Sequence, residues 1–137
     1  MTFHLTIVTP EKTLVDVEAE QLVVPTITGE LTILPHHVPL FTQLSQGELV
    51  YMHNGRPEHM MIAGGFVEVG VKSTTILADY AVLGKDISAA EAEKAKERAE
   101  KAMKEKKNAQ DFAQAEADFK RAIAELKIAN KYRKISH

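Results

Sequence analysis

The sequence predicts an α+β protein: an N-terminal antiparallel β-sandwich over residues 1–84, followed by a C-terminal antiparallel two-helix hairpin over 85–137. Three observations carry that reading. Apolar alternation of period two, punctuated by turn signals about every eight to twelve residues, fills the first part. At Gly84 the period changes to three or four. Charge divides at the same place: residues 1–83 hold the cations Lys12, Arg56 and Lys72 against nine carboxylates, leaving fourteen cations and ten carboxylates for the rest. An acidic front and a basic tail are expected of two modules with different partners.

Phe3, Leu5 and Ile7 alternate with more polar neighbours, which predicts a first strand ended by Pro10. Leu14, Val15 and Val17 open a second extended run, which Gln21–Val24 continues up to Pro25. Gly29 suits a turn with positive φ, and Leu31 and Leu34 flank a short strand interrupted by Pro35. A further extended run from Val38 to Thr42 then leaves in a new direction. This stiff corner carries Glu30, His36 and His37. The residues alone fit either a solvated turn or a contact surface.

Glu48–His53 and His59–Ala63 flank Asn54-Gly55, the dipeptide that favours a type I′ hairpin turn because it tolerates φ > 0 at both positions. Gly64-Gly65 predicts a bulge or a corner where two sheets meet. A phosphate-cradling loop is disfavoured there, since neither a helix start nor Lys-Ser/Thr follows. Phe66–Val69 and Thr74–Ala78 complete the strands, with a turn at Gly70.

Ser88-Ala-Ala-Glu91 reads as a capping box at the first helix, whose narrow face is Ala92, Ala95, Ala99 and Ala102. After Asn108-Ala-Gln, Asp111 is placed to cap a second helix with Gln114 at its third position. The second stripe is Phe112, Ala115, Phe119, Ala122, Leu126 and Ala129, with Ile123 alongside. Two helices of about 20 residues would each be about 30 Å long. Alanine forms helices readily yet buries little area, so this hairpin is expected to adhere weakly.

Several function classes lose support. There is no cysteine in the 137 residues, which removes disulfides and thiolate metal sites. No apolar run approaches the roughly 20 residues of a membrane span, and a strand pattern starting at Phe3 leaves no room for a leader. The adjacent pair His36 and His37, read as extended neighbours, would point to opposite faces, and the other histidines show no ligand spacing. No metal and no cofactor is expected. Neither a nucleophile elbow nor a Walker loop is present. Lysines interleaved with glutamates make nucleic acid a poor partner.

The stretch Gly29-Glu-Leu-Thr-Ile-Leu-Pro-His-His-Val-Pro-Leu40 resembles the signature of the epsilon subunit of F-type ATP synthases, the bacterial and chloroplast type, homologous to the mitochondrial delta subunit. Thr32 and His36 stand where that pattern usually has glycine. Ile62-Ala-Gly-Gly-Phe-Val-Glu-Val69, Thr75-Ile-Leu-Ala-Asp79 and the opening Ile7-Val-Thr-Pro-Glu11 are similar to further blocks of the family, so the likeness runs along the chain in order. It implies a non-catalytic central-stalk subunit of a proton-translocating synthase. It also implies that the sandwich binds the gamma (shaft) subunit and the membrane c-ring, with Glu30 and His37 facing the ring.

By the same resemblance the hairpin either lies against the sandwich or extends along the shaft to the alpha and beta subunits of the catalytic head, where it inhibits ATP hydrolysis. Lys120, Arg121, Lys127, Lys131, Arg133 and Lys134 are the cations that would make that contact. The location implied is peripheral, on the cytoplasmic face of a bacterial cell membrane without bilayer insertion. Some relatives bind ATP at the start of the first helix. Here Ile87 and Arg121 match that pattern, but Ser88, Glu91 and Glu125 replace its aspartate and two of its arginines, which is repulsive to a polyphosphate. The alternative is a stand-alone nucleotide-sensing regulatory domain.

Overall fold

The computed structural model describes residues 1–105 and 108–135, with side chains through Tyr132. It divides into two compact units, Met1–Leu83 and Gly84–His137. The first holds eight strands: β1 (Phe3–Val8), β2 (Thr13–Ala19), β3 (Gln21–Thr26), β4 (Gly29–Ile33), β5 (Leu40–Gln43), β6 (Gly47–His53), β7 (Arg56–Val69) and β8 (Ser73–Leu83). They follow one hydrogen-bonded path, β2-β1-β8-β7-β6-β3-β4, with β5 also on β7. Every pairing is antiparallel except β1 with β8, which is parallel.

Two layers arise because β7 and β8 serve both. The first half of β7 pairs with β6 from Arg56 to Ile62, and its second half pairs with β5 from Phe66 to Val69. Between them, the ladder to β8 keeps its register, from Met60↔Leu83 through Ala63↔Tyr80 and Gly65↔Ala78 to Val69↔Thr74. Gly64-Gly65 is therefore a corner without an inserted residue, not a bulge. The core side nevertheless changes parity: Met60 and Ile62 face the core before the glycines, Val67 and Val69 after them. Their φ values of 77° and 113° turn the strand over, a conformation glycine adopts without a Cβ penalty. On β8 the same exchange takes the inward set from Thr74, Ile76 and Ala78 to Ala81 and Leu83.

The extended run expected from Leu14 to Val24 breaks at Glu20 into β2 and β3, which belong to different ladders. Pro25 does not end β3 but sits inside it, paired with Glu30 and beyond the Gln21–Val23 stretch that β6 covers. Its missing N–H thus costs no bond to β6. The bend at Glu18–Glu20 is held from β6: Glu20 N–H donates to the Met52 carbonyl at 2.8 Å and His53 Nδ1–H to the Glu18 carbonyl at 2.8 Å.

The corner after β4 also departs from the extended reading. His37 N–H closes a turn onto the Leu34 carbonyl at 3.1 Å, and His36 lies at φ 68°. Pro35 and a left-handed residue in these places make a type II turn, whose third position favours glycine. Holding a histidine there costs about 1–2 kcal/mol of backbone strain. The two histidines accordingly occupy a turn, not opposite faces of a strand.

The core consists of side chains within the first unit, among them Leu5, Ile7, Leu22, Ile33, Leu49, Met60, Ile62 and Ile76, each with at most 1% of its surface exposed. Burial of each such side chain contributes about 1.5–3 kcal/mol.

In the second unit, Gly84–Asp86 form a 3₁₀ turn that packs against α2 (Ala109–Ile135), while α1 (Ala89–Glu105) lies along α2. Ser88 Oγ accepts from Glu91 N–H at 3.2 Å, the expected cap of α1. The cap of α2 is Asn108, not Asp111. Asn108 Oδ1 accepts from Asp111 N–H at 2.7 Å, and its Nδ2 donates to Asp111 Oδ2 at 3.0 Å. Asp111 is thus the reciprocal partner three residues on, and Gln114 donates instead to Asp118 at 3.0 Å.

Burial refines the stripes. Ala92 and Ala99 on α1, and Ala115, Ala122 and Ala129 on α2, are buried and recur every seventh residue. Ala102, Phe112 and Ile123 are exposed, and Ile128 is buried instead. The buried side of α2 is rotated from the expected stripe toward Arg121, Glu125 and Tyr132, all half-buried.

Candidate functional site

In the sandwich, Glu30 and His37 are placed by opposite ends of β4. Glu30 is exposed at its start, opposite Pro25. His37 is half-buried in the turn past its end, where its Nδ1–H donates to the Val38 carbonyl at 2.7 Å. With about 3.3 Å of rise per residue, the strand holds them roughly 10 Å or more apart along its axis. They present two contact points rather than one.

A larger feature escaped the sequence reading. On the outward face of β5 and β7, Phe41 and Phe66 stack with ring centroids 5.3 Å apart and an interplanar angle of 15°. They are 60% and 43% exposed. Register extends the strip: Gln43 pairs with Phe66, Phe66 with Leu77, and Leu77 with Val8, placing Leu77 (46% exposed) beside the rings. Glu68 and Asp79 flank it from the same side of β7 and β8. The two stacked phenylalanines form an exposed apolar strip, and such strips mark docking faces. Only the parity of Phe41 and Phe66 in their strands could have signalled this, and the fold had to supply the pairing.

On the outward face of β1 and β2, His4 sits between two carboxylates. Its Nδ1 is 2.8 Å from Glu18 and its Nε2 contacts Asp16, so a carboxylate faces each ring nitrogen, an arrangement that favours the protonated ring. The hydrogen bond to Glu18 chiefly raises the His4 pKa above its ordinary 6.5; partial desolvation opposes it and Asp16 reinforces it. Glu18 is lowered below 4.5, first by His4 and then by Thr2, whose hydroxyl donates at 3.1 Å. A raised His pKa contributes stability that is complete below 6.5 and disappears as pH rises through the folded value. A lowered Glu pKa contributes above 4.5 and disappears as pH falls through its folded value. The pair therefore holds β1 to β2 best between about pH 4.5 and 6.5. NMR titration of the His4 ring should give a midpoint above 6.5 that returns toward 6.5 in Glu18→Gln; identical midpoints in both proteins would refute the pairing.

The hairpin carries a groove of ≈ 560 Å³ between its helices, lined by Ala95, Arg98, Ala99, Ala102, Arg121 and Glu125 among others. Arg121 Nε donates to Glu125 at 3.3 Å, and Lys120 pairs with Glu116 at 3.6 Å. Two of the six nominated cations are thus already matched within their own helix. Lys127 is exposed and Lys131 half-buried. Arg133 and Lys134 belong to the last turn of α2, and their side chains lie outside the described residues. Ile87, whose N–H donates to the Gly84 carbonyl at 3.2 Å, does not line the groove with Arg121. Among the described residues no group of three or more His, Cys, Asp or Glu is arranged to hold a metal ion, and no helix is long and apolar enough to cross a membrane.

Residues 2–84 match the profile of the ATP synthase delta/epsilon chain beta-sandwich domain, and residues 85–130 that of its long alpha-helix domain. The chain belongs to the ATP synthase delta/epsilon family. It is 39% identical over 95 residues to the ATP synthase epsilon chain of Nitratidesulfovibrio vulgaris (strain DP4), covering 69% of this chain and 71% of that one. To the epsilon chain of Koribacter versatilis (strain Ellin345) it is 44% identical over 97 residues, covering 71% and 68%. A chain in the cryo-EM structure of the Euglena gracilis mitochondrial ATP synthase, OSCP/F1/c-ring in rotational state 1, superposes with a TM-score of 0.74 at 22% identity, over 99% of this chain and 82% of that one. This last likeness speaks for the fold. The delta/epsilon chain is a non-catalytic subunit of the synthase, in accord with the resemblance read from the Gly29–Leu40 stretch.

Proposed function

We propose that this delta/epsilon chain is the central-stalk subunit that joins the gamma shaft to the membrane c-ring, coupling proton flow to ATP synthesis, and that its hairpin restrains ATP hydrolysis by reaching the alpha and beta subunits of the head. It would then sit at the cytoplasmic face of a bacterial cell membrane as a peripheral protein. The observation that carries the attachment is the outward Phe41–Phe66 stack, an apolar strip edged by carboxylates on a unit with few cations. A rotor subunit must transmit torque through a static contact, and a desolvated aromatic cluster at the middle of an interface supplies most of its binding energy.

Phe41→Ser with Phe66→Ser tests it. The stack itself contributes only about 0.5–1.5 kcal/mol, so the sandwich should remain folded while co-purification with the membrane-bound ATPase is lost. Full recovery of the variant in the complex would remove this face as the attachment.

Glu30 tests the second contact. Charge reversal, Glu30→Lys, should lower ATP-driven proton pumping more than ATP hydrolysis, because an exposed charge contributes to the fit at the ring rather than to folding. One surface pair is worth about 0–1 kcal/mol, so assembly should persist. Equal losses in pumping and hydrolysis, or none, would count against a ring contact at Glu30.

A further inference from the structure

The tip of the β6–β7 hairpin holds the only Asn-Gly dipeptide of the chain, and it is exposed. Asn54 and Gly55 have φ of 53° and 75°, the type I′ geometry. Asn-Gly is also the dipeptide most prone to deamidation, since no Cβ shields the glycine nitrogen. In that reaction the Gly55 nitrogen attacks Asn54 Cγ, forming a C–N bond while the bond from Cγ to Nδ2 breaks. The Gly55 amide proton leaves with Nδ2 as ammonia, and a five-membered succinimide remains. Water then opens it at either carbonyl, giving aspartate or isoaspartate.

Both reacting groups are engaged elsewhere in this fold. Gly55 N–H donates to Glu20 Oε1 at 2.9 Å, across from the β2–β3 bend. Asn54 Nδ2 donates to His53 Nε2 at 3.2 Å, and His53 is fixed in the matching tautomer because its Nδ1–H donates to the Glu18 carbonyl at 2.8 Å. The nitrogen must lose its proton to attack, and a carboxylate accepting that N–H opposes the loss by leaving negative charge beside negative charge. A hydrogen bond to a charged group is also stronger than a neutral one.

We propose that Asn54 is a latent deamidation site, held in check by Glu20, which occupies the Gly55 N–H, and by His53, which holds the side-chain amide. Conversion to aspartate replaces the amide that donates to His53 Nε2 with an acceptor facing an acceptor, one residue from the N–H that Glu20 holds, and isoaspartate adds a backbone atom to a two-residue turn. Either product repels or displaces the tip from the bend it docks on. The site thus behaves as a one-way lesion that opens only when the hairpin tip lifts.

The test is the rate of product formation at residue 54, measured by peptide mapping of the full-length protein incubated at mildly alkaline pH. Three samples are compared: native wild type, wild type unfolded in urea, and native Glu20→Ala. Unfolded chains should react at least about tenfold faster than native ones, and Glu20→Ala several-fold faster than native wild type, in keeping with loss of a charge-assisted bond. Glu20→Gln, which keeps a weaker neutral acceptor, should fall between wild type and Glu20→Ala and serves if the alanine variant does not fold. Native and unfolded wild type reacting at one rate would overturn the guarded site, and folded Glu20 variants as slow as wild type would remove Glu20 as the guard.

Discussion

Gly65→Ala is expected to destabilise the sandwich far more than the same change at Gly64 or Gly29. A Cβ built on Gly65 would lie 2.0 Å from the Leu77 carbonyl oxygen and 2.9 Å from Ala78 Cα, both backbone atoms of the paired strand β8. Neither can move without breaking the ladder, and φ of 113° is foreign to alanine in any case. The cost should exceed about 4 kcal/mol, a large part of the 5–15 kcal/mol typical of a whole domain. Two other glycines calibrate this. At Gly64 the obstacle is the Asp79 Oδ2 at 2.6 Å, the end of a side chain that can swing aside, so Gly64→Ala should cost about 1–3 kcal/mol, mostly backbone strain. Gly29, at φ 119°, has open space around its Cβ position and should cost strain alone. Urea unfolding midpoints should therefore fall in the order Gly29→Ala, Gly64→Ala, Gly65→Ala. A Gly65→Ala protein that unfolds at the wild-type midpoint would show that the corner does not depend on this backbone approach.

Cutting the chain after Lys85 should have the largest effect on function. Every residue of the sandwich core lies before that point, as do the Phe41–Phe66 strip and Glu30, so the shortened chain should fold and join the synthase. ATP hydrolysis should rise while synthesis is largely kept. If the hairpin holds nine complexes in ten in a blocked state, its removal raises the rate about tenfold, equivalent to about 1.4 kcal/mol of differential binding. The seam of buried alanines gives the helices little grip on each other, so modest new contacts suffice to shift their position. Lys127→Glu with Lys131→Glu should reproduce the release in the full-length chain. Arg121 is left in place, because its reversal would set a carboxylate against Glu125 within the helix. Unchanged hydrolysis in both the truncated and the charge-reversed enzymes would end the proposed restraint.

Features set by neighbouring residues could be read from the sequence, and those set by distant ones could not. The alternation of Phe3, Leu5 and Ile7, the Asn54-Gly55 turn and the Ser88 cap each depend on a few adjacent positions, and each appears as expected. The parallel pairing of β1 with β8 joins residues about seventy apart and left no local mark. The break at Glu20 was hidden because β2 and β3 are both apolar alternating runs; only their different partners divide them. Asn108 and Asp111 are both good caps, and the choice fell to the residue whose backbone carbonyl also accepts from Phe112 N–H at 3.0 Å. The Phe41–Phe66 strip was invisible because its two members meet only through the β5–β7 ladder. Of the nominated cations, sequence gave the positions on α2 but not that Lys120 and Arg121 are matched by carboxylates four residues away.

Alanine at every seventh position has an informational consequence. The buried alanines Ala92 and Ala99 on α1, and Ala115, Ala122 and Ala129 on α2, repeat the same small side chain at each seven-residue step, and Ile128 is buried beside them. Sliding one helix past the other by two turns, about 10.5 Å, would exchange alanine for alanine at those positions but would displace Ile128 from its place. A mixed seam of large and small side chains would reject such a shift through voids and clashes. The alanines therefore encode proximity, and Ile128 with the half-buried Arg121, Glu125 and Tyr132 must carry the register. The 3₁₀ turn that packs on α2 adds a fixed point at one end. A shift of one helix along the other must therefore first lift one isoleucine out, while the alanines around it offer no obstacle of their own.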